Sequence, residues 1–492
     1  MCTAPSPPPS LSLSLVLTLV VSTTAFARET APPDHPLPKP NVLVILVDDL
    51  GWADLGCYGS TYHETPHIDR LAASGMRFTN GYAAAAVCSP TRASLMTGRY
   101  PARIGITDWI RARFQGGAIP PDKKNPSGYE CGGERELLCP LNPLWLELEE
   151  ITIAEVLRLH GYTTAHIGKW HLGPDDWYPE HQGFTINIGG CDYGQPPSYF
   201  DPYVGRQGSI PNLTPRREGE YLTDREADEA ARFIRENRDG PFFLHLAHYA
   251  VHTPLQGRPD LVAKYEKKPP TQQTNATYAA MVESVDHAVG RVLATLEECG
   301  LTERTLVILT SDNGGLLGVT NNAPLRSGKG LPYEGGLRVP FIVSWPGVVR
   351  AGSETDQPAI TCDIFPTVCE AACTELPGNR PIDGESLMPL LRGERGGAPR
   401  DLFWHFPHYR TDDSPPYSVV RSAGWKLIKR YAGKPFELFN LAQDPSETTD
   451  LAAQHHEKVM ELDGKLKCWL GEMGAKLPKP RPDPGHNGAA GG

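Results

Sequence analysis

Apolar runs and amphipathic stretches alternate along most of the chain. Asn41-Val42-Leu43-Val44-Ile45-Leu46-Val47 is a continuous apolar run that stops at Asp48-Asp49, the pattern of a strand buried on both faces of a parallel sheet. Thr305 to Thr310 repeats it and stops at Ser311-Asp312-Asn313-Gly314. Arg77 to Tyr82, Thr163 to Gly168, Phe242 to Ala247 and Val339 to Trp345 read as further strands. Between them lie helical patterns: one opened by Thr65-Pro66, then Thr152 to His160, Ala227 to Asn237, Tyr278 to Cys299 and Asp363 to Ala372. The alternation predicts an α/β fold, a large mostly parallel sheet sandwiched by helices, over residues 41–395. Beyond it, short strands at 402–405, 417–421, 425–430 and 437–439 and a helix at 457–472 predict a smaller C-terminal α+β domain over 396–477. Residues 113–147, rich in Gly, Pro and charge, predict a surface excursion, and the Pro/Gly-rich tail 478–492 is expected to be disordered.

Composition narrows the setting. The apolar run Leu11 to Val21 followed by Ala25-Phe26-Ala27 reads as a signal peptide over residues 1–27, though without the usual basic start, and 28–40 is a Pro-rich lead-in. The protein is therefore expected to be exported, to periplasm, lysosome or extracellular space according to the host. No later stretch is long and apolar enough for stable membrane insertion. A formal net charge of -11 argues against nucleic acid as a partner. Of the 11 cysteines, Cys131 and Cys139 bracket a short loop and form a plausible disulfide, and Cys362, Cys369 and Cys373 offer others. No CxxC pair is present, which disfavours structural zinc.

Candidate chemistry gathers after the strands. In open parallel sheets ligands bind beyond the carboxyl ends of strands, where this chain places Asp48, Asp49, Asp312 and Asn313. Three carboxylates and an amide suit a hard cation, Ca²⁺ ahead of Mg²⁺; each pair alone is equally compatible with turn and cap chemistry. Val87-Cys88-Ser89-Pro90-Thr91-Arg92 opens a short helix stopped by Gly98, with Ser89 as the expected N-cap and Pro90 as the first helical residue. Cys88 beside that helix start is open to three readings: activated nucleophile, disulfide half, or precursor of another group. Arg92, Lys169, His171, His252 and Lys329 lie in or beside loops after elements. Singly each is unremarkable; together they would form a cationic pocket for a phosphate or sulfate ester.

Cys88-Ser89-Pro90-Thr91-Arg92 followed by Thr97-Gly98-Arg99 resembles the signature of type I sulfatases, the arylsulfatase-like family of the alkaline phosphatase superfamily. Gly168-Lys169-Trp170-His171-Leu172-Gly173 resembles its second signature, and Asp48-Asp49, Ser311-Asp312-Asn313-Gly314 and Asp444-Pro445-Ser446-Glu447 follow in family order. The resemblance implies an alkaline-phosphatase-like fold and hydrolysis of aryl or carbohydrate sulfates. It implies that Cys88 is oxidised to 3-oxoalanine (formylglycine) by a formylglycine-generating enzyme. One hydroxyl of the aldehyde hydrate would attack sulfur, and the other would collapse to expel sulfate. By the same resemblance Asp48, Asp49, Asp312 and Asn313, with the modified Cys88, hold one Ca²⁺. Arg92 and His171 orient and activate the hydrate; Lys169, His252 and Lys329 bind sulfate, with His252 or Lys329 protonating the leaving alcohol. No residue near Cys191-Asp192-Tyr193 is assigned. The competing readings are a two-zinc phosphatase or phosphodiesterase of the same superfamily, a non-catalytic exported glycan-binding protein, and a hydrolase using unmodified Cys88.

Overall fold

The computed structural model describes residues 1–6, 39–110, 120–130, 135–206, 208–214, 216–394, 400–411 and 414–482. The apolar run of the expected signal peptide lies outside them. The principal sheet is built from β1 (Asn41–Val47), β2 (Met76–Phe78), β3 (Thr163–Gly168), β4 (Ile186–Ile188), β5 (Phe242–His248), β6 (Thr305–Ser311), β7 (Phe341–Ser344) and β8 (Ser353–Thr355). Their spatial order is β8-β2-β7-β6-β1-β5-β3-β4. β1 is central, flanked in parallel by β5 and β6, with Val47 opposite both His248 and Ser311. The carboxyl ends of β5, β1 and β6 therefore lie level, which is what brings their terminal residues together. β7 runs antiparallel to both of its neighbours, a departure from all-parallel pairing that its short apolar sequence does not announce.

Alternation within β1 explains the layering. Leu43, Ile45 and Val47 pack with α2 (Leu222–Glu236) and α3 (Ala276–Glu298) on one face. Val42, Val44 and Leu46 pack on the other with α1 (Cys88–Thr97) and α4 (Ile364–Ala371). The apolar side chains Val42 to Val47 are fully buried, so each contributes about 1.5–3 kcal/mol by transfer from water. The C-terminal residues form an antiparallel sheet, β9 (Leu402–Phe406), β10 (Tyr417–Ser422), β11 (Trp425–Arg430) and β12 (Glu437–Asn440), covered by α5 (His456–Glu472). The predicted α/β sandwich with a smaller α+β unit is thus observed.

Some local expectations fail. Val87, not Ser89, is the N-cap of α1, so Cys88 is the first helical residue. Ser89 sits inside the first turn, where its Oγ accepts the Ile110 amide instead. Pro90 also lies in that turn and forfeits no intrahelical donor. The tail expected to be disordered from 478 pairs at Lys479–Pro480 with Leu137–Leu138, and Arg481 N donates to Glu136 O. Cys362, Cys369 and Cys373 are unbridged thiols; Cys131, the proposed partner of Cys139, lies outside the described residues. No helix among the described residues is long and apolar enough to cross a membrane.

Two buried imidazoles lead to a pH prediction. Burial lowers His166 on β3 from 6.5 to about 3 and His405 on β9 from 6.5 to about 4. Below 6.5 the unfolded chain takes up protons that these folded rings refuse, so stability present above 6.5 is lost as pH falls toward 4. Each ring accounts for about 2 kcal/mol between pH 6.5 and 5. The melting temperature is expected to fall over that interval and to fall less in His405→Gln; a flat profile contradicts this.

Candidate functional site

Four strand ends and one helix start supply the site. Asp48 and Asp49 follow β1, Asp312 and Asn313 follow β6, Lys169 and His171 follow β3, His252 follows β5, and Cys88 and Arg92 occupy the first turns of α1. Gly168 ends β3 at φ +98, and a Cβ there would lie 2.1 Å from the Ala247 carbonyl oxygen. Only glycine permits the tight turn that carries Lys169 inward. Asp49 itself adopts φ 62, a conformation uncommon for a residue with a side chain.

The predicted residues converge. Ligand atoms of Asp48, Asp49, Cys88 and His252 all lie within 4.8 Å of one another. Asn313 Nδ2 donates to Asp49 Oδ1 at 2.8 Å, and Asp49 N donates to Asp312 Oδ1 at 3.2 Å. Arg92 Nε donates to Asp312 Oδ2 at 2.9 Å, and its NH1 donates to the Lys169 carbonyl at 2.7 Å, tying α1 to the loop after β3. Lys169 Nζ lies 2.6 Å from Asp48 Oδ2, and Lys329 Nζ 2.6 Å from Asp49 Oδ1. His252 Nε2 is 3.6 Å from Asp49 Oδ2 while its Nδ1 contacts the Thr253 carbonyl at 2.9 Å. His252 thus stands within the group of side chains that could hold a metal ion. His171 is oriented by backbone groups: its N donates to Cys191 O at 2.9 Å and its Nε2 lies 2.9 Å from the Ile110 carbonyl. Donation from Nε2 leaves Nδ1 as a lone-pair acceptor, and it has no hydrogen-bond partner among the described residues.

The electrostatics are those of a buried cluster of opposed charged groups. Asp48, Asp49 and Asp312 face Arg92, Lys169 and Lys329, three carboxylates against three cations, all nearly or wholly buried. Burial and then the Asp312 charge push the Asp48 carboxyl well above the usual carboxylate range, against the pull of Lys169. Burial also raises Asp49, but Lys329, His252 and Lys169 outweigh it and hold that carboxyl low. Asp312 is likewise held low against burial by Arg92 and Lys169. Burial disfavours charge on Lys329, yet Asp49 keeps its ammonium well above its ordinary value. Burial, with Lys169 adding to it, keeps His171 neutral, and burial with Lys329 lowers His252 to about 3. Burial raises the Cys88 thiol in spite of Lys169 and Lys329. An unmodified Cys88 is therefore a protonated thiol, the opposite of an activated cysteine nucleophile.

Three buried oxygens, Asp48 Oδ1, Asp49 Oδ2 and Asn313 Oδ1, have no hydrogen-bond partner among the described residues. Unpaired buried oxygens are costly, and an all-oxygen set around a hard cation resolves that cost. The residues present therefore fit a single Ca²⁺ or Mg²⁺. They fit a pair of zinc ions poorly, because among the described residues His252 is the only imidazole in the cluster.

Several contributors lie beyond the sequence motifs. The Ile110 carbonyl that orients His171 is a backbone group and has no signature. The C-terminal segment also reaches the site's surroundings: His408 Nε2 lies 2.8 Å from Thr107 Oγ1, and the Arg410 guanidinium stacks 5.1 Å over Trp109. A Cβ at Gly330, the neighbour of Lys329, would meet Arg410 Nε at 2.4 Å. Glu447, from the Asp-Pro-Ser-Glu stretch, accepts the Glu334 amide at 2.7 Å and pairs with buried Lys426 at 2.8 Å. It thereby fastens the C-terminal sheet to the loop that carries Lys329.

Comparison with known proteins agrees with this geometry. Residues 40–374 match the sulfatase family model, and residues 328–475 match that of the N-sulphoglucosamine sulphohydrolase C-terminal region. A sulfatase from Formosa agariphila is 34% identical, with 88% of this chain and 89% of that protein covered. Human arylsulfatase A is 34% identical, with 84% and 83% covered. Among solved structures, Ps i-CgsB in complex with k-i-k-neocarrahexaose superposes with a TM-score of 0.74 at 29% identity, covering 88% of this chain and 93% of that one.

Proposed function

Since the chain belongs to the sulfatase family and is a sulfuric ester hydrolase, we propose that it cleaves aryl or carbohydrate sulfates through formylglycine at position 88 beside a single Ca²⁺. The observation that carries this reading is the meeting of Cys88 with three unpartnered oxygens inside a ring of three cations. Asp48, Asp49, Asp312 and Asn313 would hold the ion. The aldehyde would supply a hydrate hydroxyl as nucleophile and the ion would supply Lewis acidity.

The chain's own groups do the rest. Lys169 and Lys329 now neutralise Asp48 and Asp49; once a divalent cation relieves them of that duty, both ammonium groups are free for sulfate oxygens. A +2 ion and the single negative charge of a sulfate ester, entering together, would leave the cluster with one net positive charge, which favours an anionic substrate. Arg92 anchors Asp312 and the loop after β3, and so orients the first turn of α1. His171 Nδ1 offers a buried acceptor for a hydroxyl proton, with its tautomer set by Ile110 O. Lys329, which the Asp49 carboxylate keeps protonated against burial, can deliver a proton to the leaving alcohol; His252, the other candidate, is lowered to about 3 and is the weaker donor for lack of a proton to give.

A sulfated glycan is supported by a solved relative that holds an oligosaccharide. Export through the N-terminal apolar run and maturation by a formylglycine-generating enzyme belong to the same proposal, with no role for nucleic acid. Protein co-produced with that enzyme is expected to hydrolyse p-nitrophenyl sulfate at least about 100-fold faster than p-nitrophenyl phosphate, about 2.7 kcal/mol of discrimination. A phosphate preference, with two zinc ions bound, would reverse the assignment.

A further inference from the structure

Away from the catalytic centre, a cavity of about 370 Å³ opens between the main sheet and the C-terminal sheet, lined by Arg338, Arg400, Arg421, Asn80 and Asp356. Asn80 follows β2 and Arg338 precedes β7, which pairs with β6 through Phe341 and Thr310. The cavity therefore lies along the sheet edge that carries the catalytic residues, beyond β6.

Two of its arginines are already paired with carboxylates, though Arg400 Nε itself makes no hydrogen bond among the described residues. Arg338 Nε donates to Glu334 Oε2 at 2.7 Å, and Arg400 NH1 donates to Asp363 Oδ1 at 2.9 Å. Arg421 is not. It is 7% exposed, and its guanidinium has no hydrogen-bond or ion-pair partner among the described residues; its Nε is buried and unmatched. The Tyr82 ring lies 5.5 Å from the guanidinium carbon, and Glu334 attracts the charge only at longer range, without an ion-pair contact. A guanidinium cannot shed its proton to escape burial.

The charge count around it is uneven. Arg338, Arg421 and Lys426 are three buried cations, and Glu334 and Glu447 are the two buried carboxylates that serve them. Asp356 is exposed at the rim and pairs with none of the three arginines. The segment 395–399, nearest in sequence to Arg400, contains no acid. One positive charge therefore faces the cavity without a protein counter-charge. We infer that this cavity is a second, non-catalytic anion site for a sulfate group, with Arg421 as its principal ligand and Arg338 and Arg400 as its flanks. Guanidinium forks suit tetrahedral oxyanions, and the volume is that of a small-ligand pocket. The sulfate is either the free product or a second sulfate on a glycan chain. This assignment does not depend on the chemistry proposed at Cys88.

Crystals of the full chain soaked in millimolar selenate, an anomalous scatterer shaped like sulfate, test it. The expected result is a peak within hydrogen-bonding reach of Arg421 that is absent in Arg421→Gln. It should also be absent in Ala442→Glu, a substitution at an exposed rim position that offers a carboxylate to the same guanidinium without disturbing the buried network. No peak in the unaltered protein, or a peak that survives both substitutions, overturns the proposal. Calorimetric titration with a heparin tetrasaccharide separates the sources. About tenfold weaker binding in Arg421→Gln assigns the site to a glycan sulfate; unchanged glycan binding, with the selenate peak present, assigns it to the free anion. p-Nitrophenyl sulfate turnover of Ala442→Glu is expected to stay within about twofold.

Discussion

Replacing Cys88 by alanine is expected to lower sulfate-ester hydrolysis by about 10⁴-fold or more, equivalent to about 5.4 kcal/mol of transition-state stabilisation. The side chain at position 88 meets Asp48, Asp49 and His252 within 4.8 Å, and on this account the two carboxylates are engaged by the lysines and the cation rather than by the ester. The lysines are paired with carboxylates, and Nδ1 of His252 lies against the Thr253 carbonyl. Serine is a sharper probe than alanine. A serine hydroxyl could accept a sulfuryl group but lacks the second hydroxyl through which an aldehyde hydrate expels sulfate. Cys88→Ser is therefore expected to show at most one turnover, read as a sulfate-bearing peptide in the mass spectrum. Steady turnover by Cys88→Ser would contradict the account, as would undiminished activity in Cys88→Ala.

The second large effect concerns the cation. Removal of divalent metal by chelation is expected to abolish activity, and Ca²⁺ is expected to restore it. Addition of Ca²⁺ to stripped protein should also raise the melting temperature, because binding to the folded state alone stabilises it. Asp48→Asn should lose both responses and lower activity by about 10³-fold. Asp48 is the informative position because its Oδ2 is held by Lys169 while its Oδ1 has no hydrogen-bond partner and lies 3.8 Å from Arg92 NH2. The amide can still meet Lys169 through its oxygen, so the fold persists, but it brings no charge to the ion. A melting temperature indifferent to Ca²⁺ in the unaltered protein would count against the assigned ligands.

Much of this site was legible in the sequence, for a physical reason. A strand buried on both faces must be apolar throughout, so a polar pair where it stops marks the sheet edge. Asp48-Asp49 and Asp312-Asn313 could be read that way, and parallel pairing of β1 with β6 then makes their meeting a matter of register. The motifs around Cys88 and Lys169 are local and were readable for the same reason. What escaped were relations between distant segments. The antiparallel setting of β7 and the pairing of Lys479–Pro480 with Leu137–Leu138 depend on tertiary partners. Ser89 has the chemistry of an N-cap, but the Ile110 amide competes for its hydroxyl. The surplus cation at Arg421 emerges only when Glu334 and Glu447 are seen to pair with Arg338 and Lys426, leaving Arg421 without a paired carboxylate. The carboxylates were expected to need a metal to relieve repulsion; Arg92, Lys169 and Lys329 already balance them, and the stronger sign of the cation is the set of unpartnered oxygens.

The central claim is that Cys88 is the precursor of an aldehyde. Mass spectrometry of the tryptic peptide Phe78–Arg92, taken from protein shown to hydrolyse p-nitrophenyl sulfate, tests it most directly. The account predicts the mass of an aldehyde in place of the thiol, with no alkylation by iodoacetamide. An intact, alkylatable Cys88 in fully active protein would contradict it.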